Sequence, residues 1–170
     1  KVTAEKKLGS AKEQAKHILE DAIKDSENKK KESIIAAKEE IFQMKKEADF
    51  DVKKLEENIE LLIKKGVEIF YNGGALGFDL IAAEVVLKLK NKYDIKLIMC
   101  VPFYGQEKYF SSAQKEVYNK ILKASDEVII LSDTYYKGCF LRRNDYMIEN
   151  ADYLIAYLKK SVGGTAYTVN

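Results

Sequence analysis

The chain has 170 residues, 29 Lys and Arg against 27 Asp and Glu, and a net charge of +2, which suits one domain with an appendage and offers no concentrated basic face for nucleic acid. Its two cysteines and one histidine give neither a disulfide framework nor a metal-ligand spacing, so we expect neither a metal nor a cofactor. Because no apolar run approaches the roughly 20 residues of a membrane span and no signal-peptide pattern is present, we expect a cytoplasmic protein.

Residues 1–66 predict a long, charged helix. This part lacks proline and is rich in the good helix formers Ala, Glu and Lys. Ser10, followed by Glu13, is a capping-box pattern for a helix start or restart. Apolar residues recur at steps of three and four on both sides of a polar stretch, at Leu8, Ala11, Ala15, Ile18, Ala22, Ala37, Ile41, Met44, Ala48, Val52, Leu55, Ile59 and Leu62.

Such a narrow stripe cannot bury enough surface on its own, so it favours a coiled coil and a homo-oligomer. The alternative is a solvated helix lying against its own globular domain. The segments LGSAKEQAK from Leu8, ILEDA from Ile18 and AAKEEI from Ala36 resemble the N-terminal coiled coil of ribonuclease Y over about residues 1–54. In that family a KH domain and a metal-dependent HD domain follow the coil. Neither is visible in this sequence, so ribonuclease activity is not carried over.

From Val67 onward the hydrophobic period changes to that of alternating strands and helices. The predicted strands are Val67–Tyr71, Lys96–Val101, Glu127–Leu131 and Tyr153–Leu158. The predicted helices are Phe78–Lys92, Ser112–Ala124 and Leu141–Asn150. This alternation predicts an α/β protein with a Rossmann-like parallel sheet flanked by helices. Right-handed crossovers would then bring every strand-to-helix loop to one edge of the sheet, the usual ligand edge.

A glycine-rich turn follows the first predicted strand directly. Gly73 and Gly74 tolerate positive φ and let a ligand approach the backbone, and Gly77 lets the next helix begin close by with its free N–H groups facing an anion. The pattern therefore predicts a phosphate site. An ordinary tight turn is the competing interpretation, since turns need glycine in any case.

A second glycine turn, Gly163-Gly164-Thr165, follows the last predicted strand and would lie at the same edge of the sheet. Together with Arg142-Arg143 it suggests a cradle in which a guanidinium group clamps a phosphate, although the arginine pair is also compatible with a solvated helix face. Asp79 and Glu84 are candidates for orienting a ribose hydroxyl or for acid–base catalysis. Either is equally compatible with a helix-start charge or a surface residue.

Several ordered motifs resemble the DUF1273 group of the SLOG superfamily, which includes the DNA-processing protein A and lonely-guy families. The resemblance covers about residues 55–170 and rests on the segments FYNGGALGFD (70–79), PFYGQ (102–106), VIILSD (128–133), GC (138–139), RNDYM (143–147), AD (151–152) and GGTAYT (163–168). SLOG domains bind nucleotides or their derivatives, and some hydrolyse the N-glycosidic bond of nucleoside monophosphates. The resemblance implies phosphate contacts from the residues Gly73, Gly74, Gly77, Gly163, Gly164, Thr165 and Arg143.

The same resemblance offers three aromatic residues after the second predicted strand as candidates for stacking on a base, or for ordinary loop packing: Phe103, Tyr104 and Tyr109. Two family features are absent. There is no additional first strand ending in a Thr-Gly-His-Arg-like turn, and no acidic residue in the positions after Thr165. Nucleotide binding is therefore the leading hypothesis. Hydrolysis with Glu84 or Asp79 as acid–base, and an oligomerisation scaffold without activity, are the alternatives.

The two resemblances meet within one helix, and neither family contains the other. We therefore expect a chimeric chain, with a coiled-coil helix over residues 1–54 and a SLOG-like domain over residues 55–170.

Overall fold

A computed structural model describes residues 2–158 and 163–169, with side chains described from residue 12 onward. The chain divides into two compact units, residues 1–50 and residues 51–170. In chain order the elements are α1 (Val2–Lys64), β1 (Ile69–Asn72), α2 (Phe78–Leu89), β2 (Lys96–Val101), a 3-10 turn (Gln106–Tyr109), α3 (Ser112–Ala124), β3 (Glu127–Ile130), α4 (Cys139–Glu149) and α5 (Gly164–Val169).

Helix α1 is continuous from Val2 to Lys64, so the prediction that a helix starts or restarts at Ser10 is wrong. The helix ends at Lys64, two residues before Gly66. Gly66 has a φ of +95°, its N–H donates to the carbonyl of Ile63, and the Val67 N–H donates to that of Leu62. These are the bonds of a Schellman cap. Neither α1 nor another helix within residues 2–158 and 163–169 combines the length and apolarity needed to cross a membrane.

The sheet in the described residues has three parallel strands in the order β1-β2-β3, which confirms the predicted parallel α/β architecture. The helix Ser112–Ala124 has the predicted bounds, and its Ser111 capping box is complete. The predicted strand Tyr153–Leu158 is wrong, because these residues are not in a strand. The run has β-type composition, but none of the three strands of the described sheet pairs with it.

The core of residues 51–170 lies mainly on one face of β2, the central strand. Leu97 and Met99 of β2 are fully buried in a cluster whose other members come from the end of α1, from α2 and from α3, and include Leu55, Ile59, Ala83, Val86, Tyr118 and Ile121. Alternation along the strand turns Cys100 to the opposite face, where α4 contacts β2. Helices packed on both faces of the sheet thus fix the position of β1 and of the carboxyl ends of the strands.

A charged side chain joins the end of α2 to the central strand. The carboxylate of Asp126 accepts hydrogen bonds from Lys90 Nζ at 2.6 Å and from the Leu97 N–H at 2.7 Å. These two contacts, with Lys90 the larger cause, hold the pKa of Asp126 below its usual value. The ionised Asp126 carboxylate therefore anchors the loop before β3 to α2 and β2.

Candidate functional site

The glycine turn after β1 is held by side chains of its own segment. Asn72, at the end of β1, donates from Nδ2 to the Asp79 carbonyl at 2.7 Å and accepts from the Gly74 N–H at 2.8 Å. The Asp79 carboxylate accepts from the Ala75 N–H at 3.2 Å. The turn therefore has a fixed shape, and two of its N–H groups already have partners.

Gly74 is required by packing as well as by conformation. Its φ is +63°, and a Cβ there would lie 2.9 Å from a ring carbon of Tyr118 and 3.1 Å from the Met99 methyl group. Its carbonyl accepts from Gln106 Nε2 at 3.0 Å. A side chain at position 74 would therefore point into the core, and a substitution there would destabilise the fold.

Arg143 connects α4 to this turn. Its side chain is only 7% exposed. Nη1 donates to the Gly73 carbonyl and lies 4.0 Å from the Asp79 carboxylate, while Nε donates to Asn144 Oδ1 at 2.8 Å. A Cβ on Gly73 would come within 2.5 Å of the Arg143 Cζ, so the absence of a side chain at Gly73 is what admits the guanidinium group.

Asn144 extends the same network to α5. Its Nδ2 donates to Thr168 Oγ1 at 2.9 Å and makes a longer contact of 3.5 Å with the Gly164 carbonyl. Gly163, with a φ of +109°, precedes this short helix. The two glycine segments that the sequence places far apart are therefore joined through Arg143 and Asn144.

A cavity of about 1000 Å³ opens beside the free edge of β1. Five of the predicted site residues line it: Gly73, Asp79, Arg143, Gly164 and Thr165. Gly74, Gly77 and Gly163 are outside its lining. Glu84 is exposed on α2 and is also outside the lining, so the structure does not bring it to the other candidates.

The three predicted stacking residues line a different cavity, of about 370 Å³. Phe103 is buried and makes edge contacts with Tyr135 and Phe140, whereas Tyr104 and Tyr109 are 69% and 92% exposed. These aromatic rings therefore line a cavity other than the one lined by Arg143.

Five charged residues line the larger cavity: Lys65, Glu68, Asp79, Arg143 and Asp152. Burial lowers the pKa of the Arg143 guanidinium, and the Asp79 carboxylate acts in the opposite direction. Burial also raises the pKa of the nearby Cys100 thiol to about 11, so this thiol carries no negative charge at neutral pH. Among the described side chains no group of His, Cys, Asp and Glu is arranged to hold a metal ion.

Four side chains of this network were missed at the sequence level: Asn72, Gln106, Asn144 and Thr168. Asn72 carries a usable signal, because an asparagine just before a glycine turn commonly bonds the backbone two residues on. Asn144 stands beside Arg143 in one of the SLOG-like motifs. Gln106 and Thr168 end two other SLOG-like segments, PFYGQ and GGTAYT, but no role was assigned to either of them.

A parallel sheet with a glycine turn after its first described strand, and a buried arginine over that turn, defines a Rossmann-like α/β domain with a ligand cavity at the sheet edge. Residues 36–170 match the YpsA family model, described as the YspA SLOG family, and the chain belongs to this family. Residues 1–66 match the RNase Y N-terminal region. The two matches overlap over residues 36–66, within α1 and the turn that follows it.

Three relatives illustrate the similarity. A UPF0398 protein of Halalkalibacterium halodurans is 38% identical over 119 residues, which are 68% of this chain and 63% of that protein. A UPF0398 protein of Bacillus licheniformis is 36% identical over 135 residues, or 76% of this chain and 74% of that protein. The SPbeta prophage-derived protein YoqJ of Bacillus subtilis is 32% identical over 124 residues, or 65% and 72%. The match to the first of these thus spans less than two thirds of that relative's length.

Proposed function

We propose that residues 51–170 bind a nucleotide or nucleotide derivative, with its phosphate beside Arg143. The observation that carries this proposal is the position of the buried guanidinium group. Its Nη2 has no partner among the described residues. Since no fully buried side-chain nitrogen or oxygen of the described part lacks a hydrogen bond, Nη2 is not fully buried. Arg143 lines the cavity, so this nitrogen is available to an anionic ligand.

The neighbouring groups favour one orientation of such a ligand. Because Asp79 lies 4.0 Å from Arg143 Nη1, a phosphate binds away from this carboxylate, on the side of Gly164 and Thr165. A ribose hydroxyl would instead donate to Asp79, which is the carboxylate among the predicted catalytic candidates that lines the cavity. Of the two acid–base candidates, Glu84 lies outside the cavity and Asp79 lines it; we assign Asp79 to the ribose and propose binding as the function.

Isothermal titration of the full chain with AMP, adenosine and inorganic phosphate tests this proposal. We expect AMP to bind, and adenosine to bind more weakly because it lacks the phosphate. Release of free adenine from AMP would replace the binding proposal by the hydrolytic one. Failure of a folded chain to bind AMP, GMP, CMP or UMP would contradict the proposal.

We infer that the N-terminal helix associates with a second copy of itself. Large apolar side chains are exposed on α1, among them Ile18 at 70%, Ile41 at 52% and Phe42 at 64%. The match of residues 1–66 to the RNase Y N-terminal region is consistent with a coiled coil. Covering these side chains with a partner helix would remove apolar surface from water.

A further inference from the structure

The smaller cavity, of about 370 Å³, is formed by the loops that follow two adjacent parallel strands, β2 and β3. Its lining comes from residues between 103 and 109 in the first loop and from residues 133–135 in the second. The region beyond the carboxyl ends of parallel strands is where open α/β sheets usually bind ligands, and the volume is within the range of small-molecule sites. The binding of AMP proposed above does not use this cavity.

Hydrogen bonds fix the shape of both loops. The Tyr104 N–H donates to the Ser132 carbonyl at 3.0 Å and joins the first loop to the second. Gln106 Nε2 donates to the Gly74 carbonyl at 3.0 Å, which ties the first loop to the turn after β1. In the second loop, Ser132 Oγ donates to the Thr134 carbonyl at 2.8 Å. The cavity therefore lies between two loops that are held in place.

Aromatic side chains make up much of the lining of this cavity. The buried Phe103 ring contacts the Tyr135 ring edge to face, with the two centroids 5.4 Å apart. Tyr104 and Tyr109 also line the cavity and are largely exposed, as is Tyr135. Because nucleobases stack favourably on aromatic side chains, these rings are suited to a flat aromatic ligand that would cover them.

One carboxylate and one ammonium group complete the lining, those of Asp133 and Lys108. Both residues are exposed, and neither side chain makes a hydrogen bond or an ion pair with the described residues. The Lys108 side chain lies over Gly105, where a Cβ would come within 2.7 Å of Lys108 Cε. The ammonium group disfavours a cationic ligand and the carboxylate disfavours an anionic one. The two charges together favour a neutral ring that carries both hydrogen-bond donors and acceptors.

Among the common nucleobases, guanine is the one that matches this pair of charges. An ionised carboxylate can only accept hydrogen bonds. The N1–H and the N2 amino group of guanine are neighbouring donors that match the two carboxylate oxygens. On the pairing edges of adenine, cytosine and uracil, each donor is flanked by an acceptor that would repel a carboxylate. The O6 and N7 atoms of guanine are acceptors that lysine commonly contacts.

We propose that the smaller cavity binds a guanine nucleoside, whose base stacks on the tyrosine rings of the lining. The Asp133 carboxylate accepts hydrogen bonds from the N1–H and the N2 amino group, and the Lys108 ammonium group donates to O6. This site is separate from the cavity that Arg143 lines. The inference therefore does not rest on the function proposed above, and failure of one leaves the other unaffected.

Titration calorimetry of the full chain with guanosine and with inosine tests the proposal, because inosine lacks only the N2 amino group. Loss of one hydrogen bond to a charged group corresponds to a roughly 10- to 100-fold change in affinity. Inosine should therefore bind at least about tenfold more weakly than guanosine. In Asp133→Asn, guanosine should bind about tenfold more weakly, and its advantage over inosine should fall to about twofold or less.

Two matched controls locate the site. Glu107→Gln removes a carboxylate from the loop after β2 without touching the lining, so it should keep the affinity for guanosine within about twofold. Tyr109→Ala removes a stacking ring and should weaken guanosine binding about tenfold. Tyr136→Ala removes an exposed ring outside the lining and should change the affinity by less than about twofold.

Three outcomes would overturn the proposal. The first is equal binding of guanosine and inosine to the wild-type chain. The second is a preference for guanosine that persists undiminished in folded Asp133→Asn, since the base would then lie elsewhere. The third is no binding of guanosine to the folded wild-type chain up to the solubility limit of the nucleoside. The comparison of the two nucleosides on the wild-type chain decides the matter even if a variant fails to fold.

Discussion

Nη1 of Arg143 donates a hydrogen bond to the carbonyl oxygen of Gly73, 70 residues earlier in the chain. Arg143 thus fixes the glycine turn and also lines the cavity. Variants at Gly73 and at Arg143 should therefore both alter the site. Measuring AMP affinity separately from the free energy of unfolding distinguishes an effect on ligand binding from an effect on packing.

Gly73→Ala is expected to weaken AMP binding about tenfold by displacing Arg143. The new Cβ would lie within 2.5 Å of the Arg143 Cζ, so the guanidinium group must move, and a displacement costing about 1.4 kcal/mol is a factor of ten. The control is Gly138→Ala, because Gly138 is outside the cavity lining and its Cβ would meet nothing within 4 Å. Titration calorimetry on both variants is the measurement. Equal affinities for the two variants would show that Arg143 does not need the space at Gly73.

Gly74→Ala should lower the free energy of unfolding by about 3 kcal/mol. A left-handed residue other than glycine costs roughly 1–2 kcal/mol, and overpacking against Tyr118 costs roughly 1–3 kcal/mol. Gly66→Ala is the control, because Gly66 shares the positive φ but has open space around its Cβ position, so it should lose only the first contribution. Urea unfolding measures both. A loss at Gly74 no greater than that at Gly66 would contradict the packing argument.

Asp126→Asn should destabilise the fold by about 1 kcal/mol at neutral pH, a modest value because the partly exposed Lys90–Asp126 pair is screened by solvent. The pKa of Asp126 is lower in the folded chain. The stabilisation from ionised Asp126 is therefore complete at pH values above its unfolded-state pKa of about 3.9. It is lost as the pH falls through the lower folded-state pKa. The difference between wild type and variant should shrink below about pH 4.

Unfolding experiments between pH 3 and pH 7 test this dependence, with the exposed Asp94→Asn as the control that should behave like wild type. A gap between wild type and Asp126→Asn that stays constant over this pH range would rule out the ionised pair as its source.

Ile41→Glu is expected to shift the chain towards the monomer, because it places a charge in the apolar stripe of α1, where Ile41 is 52% exposed. Lys46→Glu introduces the same residue away from the stripe and should leave association unchanged. Sedimentation velocity of the full chain at micromolar concentration compares the two. A monomeric wild type would refute the coiled coil.

Part of the fold could be predicted from sequence. Strand–helix alternation predicted the parallel sheet, and glycine spacing placed the turn before α2, which begins at Phe78. Strand pairing was harder to predict. Whether Tyr153–Leu158 forms a strand depends on a neighbouring strand and not on the composition of the segment itself.

The site could be predicted only in outline for a similar reason. Glycine and arginine motifs pointed to Gly73 and Arg143, but local sequence does not reveal that Asn72 occupies the Gly74 N–H. Nor does it show that Tyr104 and Tyr109 line a separate cavity. These depend on how the loop after β2 is folded against its neighbours.

The most direct test of the proposed function is the affinity of Arg143→Ala for AMP, with Arg142→Ala as the control. Arg142 is the neighbouring residue, is exposed and is outside the cavity lining. A hydrogen bond to a charged group contributes roughly 1.5–3 kcal/mol, so Arg143→Ala should raise the Kd by about 10- to 100-fold, and Arg142→Ala should leave it within about twofold. Circular dichroism establishes that each variant is folded. An unchanged Kd in folded Arg143→Ala, or an equal loss in Arg142→Ala, would contradict the role assigned to the buried guanidinium group.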